Sequence, residues 1–186
     1  KVDGGSKAAA IGAQYHQSTE VVILESTILE ANGGNASAGI GGSRYSNDIS
    51  ESKKQISKVR IENSEVTATG GQFGAGIGAG YDTHCVANDL NAVNEIIIVN
   101  STVTAQGGKY AAGIGTGYHS AALTGSISID DDSTIDATSG EKTYKEKYSS
   151  AQNIGYGVVD LAREGKELSV SFTVAGKKIS APAASY

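Results

Sequence analysis

The chain has 186 residues and a formal net charge of −5, with Gly 25, Pro 1, Phe 2 and neither Trp nor Met. So few large side chains exclude an ordinary globular core and point to a thin one made of small and β-branched residues. The basic residues are scattered in a net acidic chain, which excludes a nucleic-acid surface. The longest apolar runs, Val21–Leu24 and Ile96–Val99, fall far short of the ~20 residues that would insert in a membrane.

In chain order, Lys1–Ser6 carries the glycine pair Gly4 and Gly5, and AAAIGA follows from Ala8. The stretch VVILESTILEANGG from Val21 then opens a pattern that recurs as KVRIENSEVTATGG from Lys58, EIIIVNSTVTAQGG from Glu95 and SISIDDDSTIDATSG from Ser126. A second signature trails each copy: SAGIGG from Ser37, GAGIGAG from Gly74, AAGIGTG from Ala111 and AQNIGYG from Ala151. Ile40, Ile77 and Ile114 are spaced 37 residues apart, and such a period marks a solenoid. Within each copy the apolar residues alternate, giving the columns Val22, Val59, Ile96, Ile127 and Leu24, Ile61, Ile98, Ile129. After a short corner marked by Ser26, Asn63 and Asn100, the alternation resumes through Leu29, Val66, Val103, Ile135 and Ala31, Ala68, Ala105, Ala137. A third inward column is Ile11, Ile40, Ile77, Ile114, Ile154. At the end, Glu141–Lys147 is a charged excursion, and Glu167–Val174 reads as a last strand before a polar tail.

Three short strands per repeat, with like residues in register, bury their inward faces only by winding into coils that stack on one another. Helical solenoids are excluded by the glycine pairs and by the period of two, and a β-sandwich would not repeat residue types column by column. The predicted fold is all-β: a right-handed single-stranded parallel β-helix with three short strands per coil and about five coils. It forms one domain over 1–186, of which 158–186 is a C-terminal strand with a capping or linker segment. The missing initiator Met leads us to expect an excerpt of a longer protein with neighbouring domains, and Gly4 with Gly5 reads as the corner of a preceding coil.

Length differences between repeats fall after the second signature, in Ser43–Ser57, Tyr81–Glu95 and Tyr118–Thr124. Stacked coils would project these insertions from one side of the rod, which makes that side the expected working surface. Short helical turns are expected at Asn88–Asn94 and Ile49–Ser57. Tyr15, Tyr81 and Tyr118 share one offset and lead into that side, so an aromatic ladder is expected there, either closing the corner or offering rings to sugars. His16, His84 and His119 follow those tyrosines, and with Asp82 they complete the candidate ligand-binding set. His84, Asp82, Asp89 and Cys85 lack tight metal-ligand spacing. The acidic corner Asp130, Asp131, Asp132 with Asp136 is the calcium candidate, Asp130, Asp132 and Asp136 being the proposed ligands, although a one-residue insertion explains the run equally well. No other cofactor is expected.

The glycine run at Gly74, Gly76, Gly78 and Gly80 imitates a nucleotide loop, but no helix follows and the run repeats in other coils. An ice-binding face is disfavoured, because Glu30 and Asp136 interrupt the outward column of Thr67 and Thr104. No paired carboxylates and no Gly-x-Ser-x-Gly motif are found, so an enzyme is not expected.

The AGIG signatures after TVTAxGG-like strands, best seen over 66–80 and 103–117, resemble glycine-rich β-helix repeats of bacterial cell-surface proteins. More distantly, the chain looks like the clostridial carbohydrate-binding β-helix domains, whose members are secreted and can bind acidic polysaccharide with calcium. The resemblance implies fold and an extracellular or cell-surface location, and no binding residue of that family maps onto this sequence. The expected function is a binding or adhesion module that presents its loop-bearing side to a polysaccharide or host surface glycoprotein, or a stalk. The alternative is a polysaccharide lyase or hydrolase.

Overall fold

The computed structural model describes residues 1–14, 21–43, 58–81, 95–119, 126–141, 151–158, 171–174 and 177–180. Its strands follow the repeats. A leading partial turn gives β1 (Val2–Asp3) and β2 (Ile11–Gly12). Four complete coils follow: β3 (Val21–Glu25), β4 (Ile28–Asn32) and β5 (Ile40–Gly41); β6 (Lys58–Glu62), β7 (Glu65–Thr69) and β8 (Ile77–Gly78); β9 (Glu95–Val99), β10 (Thr102–Gln106) and β11 (Ile114–Gly115); β12 (Ser126–Ile129), β13 (Thr134–Thr138) and β14 (Ile154–Gly155). The last two strands are β15 (Ser171–Val174) and β16 (Lys177–Ser180).

Equivalent strands pair in parallel along three sheets. Sheet A runs β1-β4-β7-β10-β13, sheet B runs β2-β5-β8-β11-β14, and sheet C runs β3-β6-β9-β12-β15-β16. The protein is a right-handed parallel β-helix. The register is the one expected: Ile11 pairs with Ile40, Ile40 with Ile77, Ile77 with Ile114 and Ile114 with Ile154. These residues form one interior file, and its three central members, Ile40, Ile77 and Ile114, are fully buried. The Val59, Ile96, Ile127 file and the Ala31, Ala68, Ala105 file line the same core. Each full burial of an isoleucine stabilises by about 1.5–3 kcal/mol.

Glycine is required at the turn that follows the isoleucine file. Gly12, Gly41, Gly78, Gly115 and Gly155 all have φ between 122° and 140°, and a Cβ on Gly78 would overlap the carbonyl oxygen of Gly115 in the next coil. That region of backbone space is essentially reserved for glycine. The sheet C to sheet A corner is built differently. Ser26, Asn63 and Asn100 adopt φ of 49°, 49° and 43°, and the Asn100 side-chain amide donates to Asn63 Oδ1 at 2.7 Å, the axial amide bond that the stacked asparagines suggest.

Two features extend the sequence reading. The outward faces of β7, β10 and β13 present Thr67 and Thr69, Thr102 and Thr104, and Thr134 and Thr138, the last two separated by outward Asp136. At the C-terminal end, β15 adds in parallel to β12 and β16 returns antiparallel to β15, a strand inside what reads in sequence as a tail.

Candidate functional site

Every connection from a sheet B strand to the next sheet C strand is long, from 8 residues (13–20) to 16 residues (42–57 and 79–94). The connections from sheet A to sheet B hold at seven residues until the last, which has 15. The expected loop-bearing side is therefore the B-to-C corner, and its described roots lie one coil above another.

These roots are tied by backbone bonds across coils. Tyr81 N–H donates to Ala36 C=O at 2.8 Å, Tyr118 N–H to Phe73 C=O at 2.9 Å and Val158 N–H to Tyr110 C=O at 2.7 Å. The repeat thus brings a second column, Ala36, Phe73 and Tyr110, against the tyrosine column. Tyr81 and Tyr118 stack with ring centroids 5.6 Å apart at 23°. Phe73 lies 5.4 Å from Tyr81 and 5.5 Å from Tyr118, and Tyr110 lies 5.2 Å from Tyr118. His119, at φ 54°, places its ring 3.9 Å from Tyr118 and edge-on to Tyr81 at 6.3 Å. Aromatic contacts of this kind add about 0.5–1.5 kcal/mol each beyond burial.

Burial separates the members of this group. Tyr118, 8% exposed, belongs to a satellite cluster with Tyr110, Ala151 and Val158, His119 beside it is 9% exposed, and Tyr81 packs against the cluster half-buried. Tyr118 and His119 are buried in the corner, whereas Tyr81 and Phe73 are each half-buried and part-accessible. Tyr15, His16, Asp82, His84, Cys85 and Asp89 lie outside the described residues, as do the turns expected at Asn88–Asn94 and Ile49–Ser57. Phe73 and Tyr110 escaped the sequence reading because alanine holds their column in the first coil.

The acidic corner has a structural occupation. In earlier coils a backbone carbonyl takes two bonds: Glu62 C=O accepts from Ser26 N–H and the Ser64 hydroxyl, and Val99 C=O accepts from Asn63 N–H and the Ser101 hydroxyl. In the fourth coil one extra residue enters, and the Asp130 carboxylate takes both roles. It accepts from Asn100 N–H at 3.0 Å and from the Ser133 hydroxyl at 2.5 Å. The Ser133 hydroxyl above all, then the Asn100 N–H, outweigh desolvation and hold this carboxyl below its ordinary pKa. Asp136 stands on the outward face of β13, in file with Thr104. Among the described residues no group of three or more His, Cys, Asp or Glu side chains is gathered to hold a metal ion. The structure therefore does not assemble Asp130, Asp132 and Asp136 as one ligand set.

The same C-to-A corner carries a hydroxyl ladder that sequence reasoning missed. The Ser64, Ser101 and Ser133 hydroxyls accept from the N–H groups of Thr27, Ser64 and Ser101, each at 3.1 Å. An open polar groove runs along it, lined by Ser26, Thr27, Asn63, Ser64, Glu65 and Asn100 among others.

A family model described as a beta helix repeat matches residues 21–44, 59–81 and 96–118. These segments are β-helix repeats. Each match begins at or next to the start of a sheet C strand and stops at or beside a B-to-C root, so the likeness covers scaffold and leaves the long connections aside. No curated protein and no solved structure matches the chain.

Proposed function

We propose that the protein is an extracellular or cell-surface binding module, with the β-helix as a rigid rod and the B-to-C corner as the side that meets a polysaccharide or a host surface glycoprotein. The observation that carries this reading is the concentration of long, unequal connections at one corner, while the corner between sheets C and A stays at two residues until the fourth coil. Segments free to vary in length and sequence on a fixed frame are where binding groups are usually placed. The half-buried Tyr81 beside Phe73 supplies an aromatic ring at the root of one such connection. The acidic net charge fits a carbohydrate or protein ligand better than a polyanion.

A glycan array probed with the folded chain, followed by titration of any hit, tests this. Tyr81→Ala is expected to weaken binding about three- to tenfold. Replacing 82–94 with a Gly/Ser segment of equal length is expected to abolish it with the β-sheet circular dichroism unchanged. Binding that survives both changes, or steady turnover of a polysaccharide, would remove the reading.

A further inference from the structure

The polar groove at the C-to-A corner has a closed floor and open walls. On the floor, the Ser64 and Ser101 hydroxyls each accept from a backbone N–H and donate to a backbone carbonyl, which leaves them nothing for a ligand. One wall is the column Ser26, Asn63 and Asn100, whose left-handed backbone sets all three exposed. Asn100 gives an amide N–H to Asn63 Oδ1. Among the described residues this leaves the Asn63 amide with both of its N–H groups and Asn100 with its Oδ1. The other wall holds Glu65 and Thr102, the first residues of β7 and β10, paired in register and exposed. No ion pair among the described residues engages Glu65.

Both walls are columns of equivalent residues in successive coils, so the groove runs along the rod axis. Its centre belongs to the second and third coils, each packed between two others. Hydrogen-bonding groups therefore recur along each wall at the coil spacing of about 4.8 Å. An extended peptide lying in the groove advances about 3.3 Å per residue, and its groups fall out of step with the walls within two coils. A ribbon of β-1,4-linked pyranose rings advances by about one ring per coil and carries hydroxyls along both edges, each able to donate and accept. Charge narrows the class further. Glu65 is negative and no lining residue is cationic, which repels uronate or phosphate polymers and suits uncharged sugars.

We propose that this groove is a binding site for an extended neutral glycan, its chain parallel to the rod axis, with Asn63 and Asn100 along one edge and Glu65 and Thr102 along the other. The site is separate from the B-to-C corner and does not depend on what binds there. The groove is open along its length and touches the chain from one side, so binding is weak, with a dissociation constant of about 1 mM, too weak to survive the washing of a glycan array.

The test is an NMR titration of the whole chain that follows the Asn63 and Asn100 side-chain amide signals. Cellopentaose is expected to shift both, and to bind about tenfold more tightly than glucose, because a single ring reaches one coil only. Tetragalacturonate, of similar length but anionic, is expected to shift neither. Glu65 and Thr102 have exposed side chains with no described side-chain partner, so Glu65→Ala with Thr102→Ala should weaken cellopentaose about tenfold while leaving the thermal midpoint unchanged. Still signals at Asn63 and Asn100 with about 10 mM cellopentaose, equal binding of glucose or tetragalacturonate, or a double variant that binds as before would each overturn the site. Shifts confined to the Tyr81 corner would overturn the groove and support the B-to-C reading. Shifts confined to Asn63, Asn100 and their neighbours would support the groove whatever becomes of that reading.

Discussion

Two corners of each coil are made on opposite terms. From sheet C to sheet A the chain turns in two residues and is held by a ladder: a hydroxyl at Thr27, Ser64, Ser101 and Ser133, and a left-handed Ser or Asn beside it in the first three coils. From sheet B to sheet C the connection changes length from coil to coil, and its described root is tied by a backbone bond and an aromatic column. A solenoid needs its strands in register at every level. It tolerates variation only where the extra residues can leave the stack without displacing the next strand. Asp130 shows the cost of an insertion at the tight corner, since a carboxylate has to replace a carbonyl for one additional residue.

The contrast can be tested from the scaffold outward. Gly78→Ala puts a Cβ against the Gly115 carbonyl at φ 130°, and should cost about 3 kcal/mol or more, or prevent folding, by chemical denaturation. Ile77→Ala empties a fully buried position in the central file and should cost about 2–5 kcal/mol. A glycine inserted between Asn63 and Ser64 breaks the ladder in a coil with no carboxylate to repair it and should cost about 1–3 kcal/mol. Doubling the length of 82–94 with Gly/Ser residues should cost only about 0.6 kcal/mol. If the two insertions were equally harmful, the distinction between the corners would fail.

The smallest effect concerns pH. A carboxyl whose folded pKa is lowered contributes stability that is complete above its unfolded value and lost as pH falls through the folded one. The Asp130 contribution should therefore fade in acid, below the ordinary carboxylate pKa. Asp130→Asn should flatten that part of the acid limb of a stability-against-pH curve, and an unchanged limb would show that the carboxylate's charge is not used.

Much of the frame is legible in the residues themselves. Alternation within each copy and identity between copies give the Ile40, Ile77, Ile114 file and its register, because a period of two fixes which face is inward and a period of 37 fixes what stacks on what. The loop-bearing corner follows from the same count. The candidate site is legible only in part. Tyr81 and Tyr118 occupy one column and are indistinguishable by offset, yet one is half-buried and the other enclosed, because Tyr110 and Val158 close over Tyr118.

The sequence by itself determined the winding, the inward files and the glycine turns, since these depend on local backbone preference and on a pattern repeated at fixed spacing. Only the tertiary structure decided that the Asp130 carboxylate replaces a carbonyl and that the Gln152 side chain accepts from Tyr156 N–H where earlier coils use a glycine carbonyl. Each of these depends on which atoms lie one coil away, and that distance is set by the insertions and by the ends of the stack rather than by neighbours in the chain.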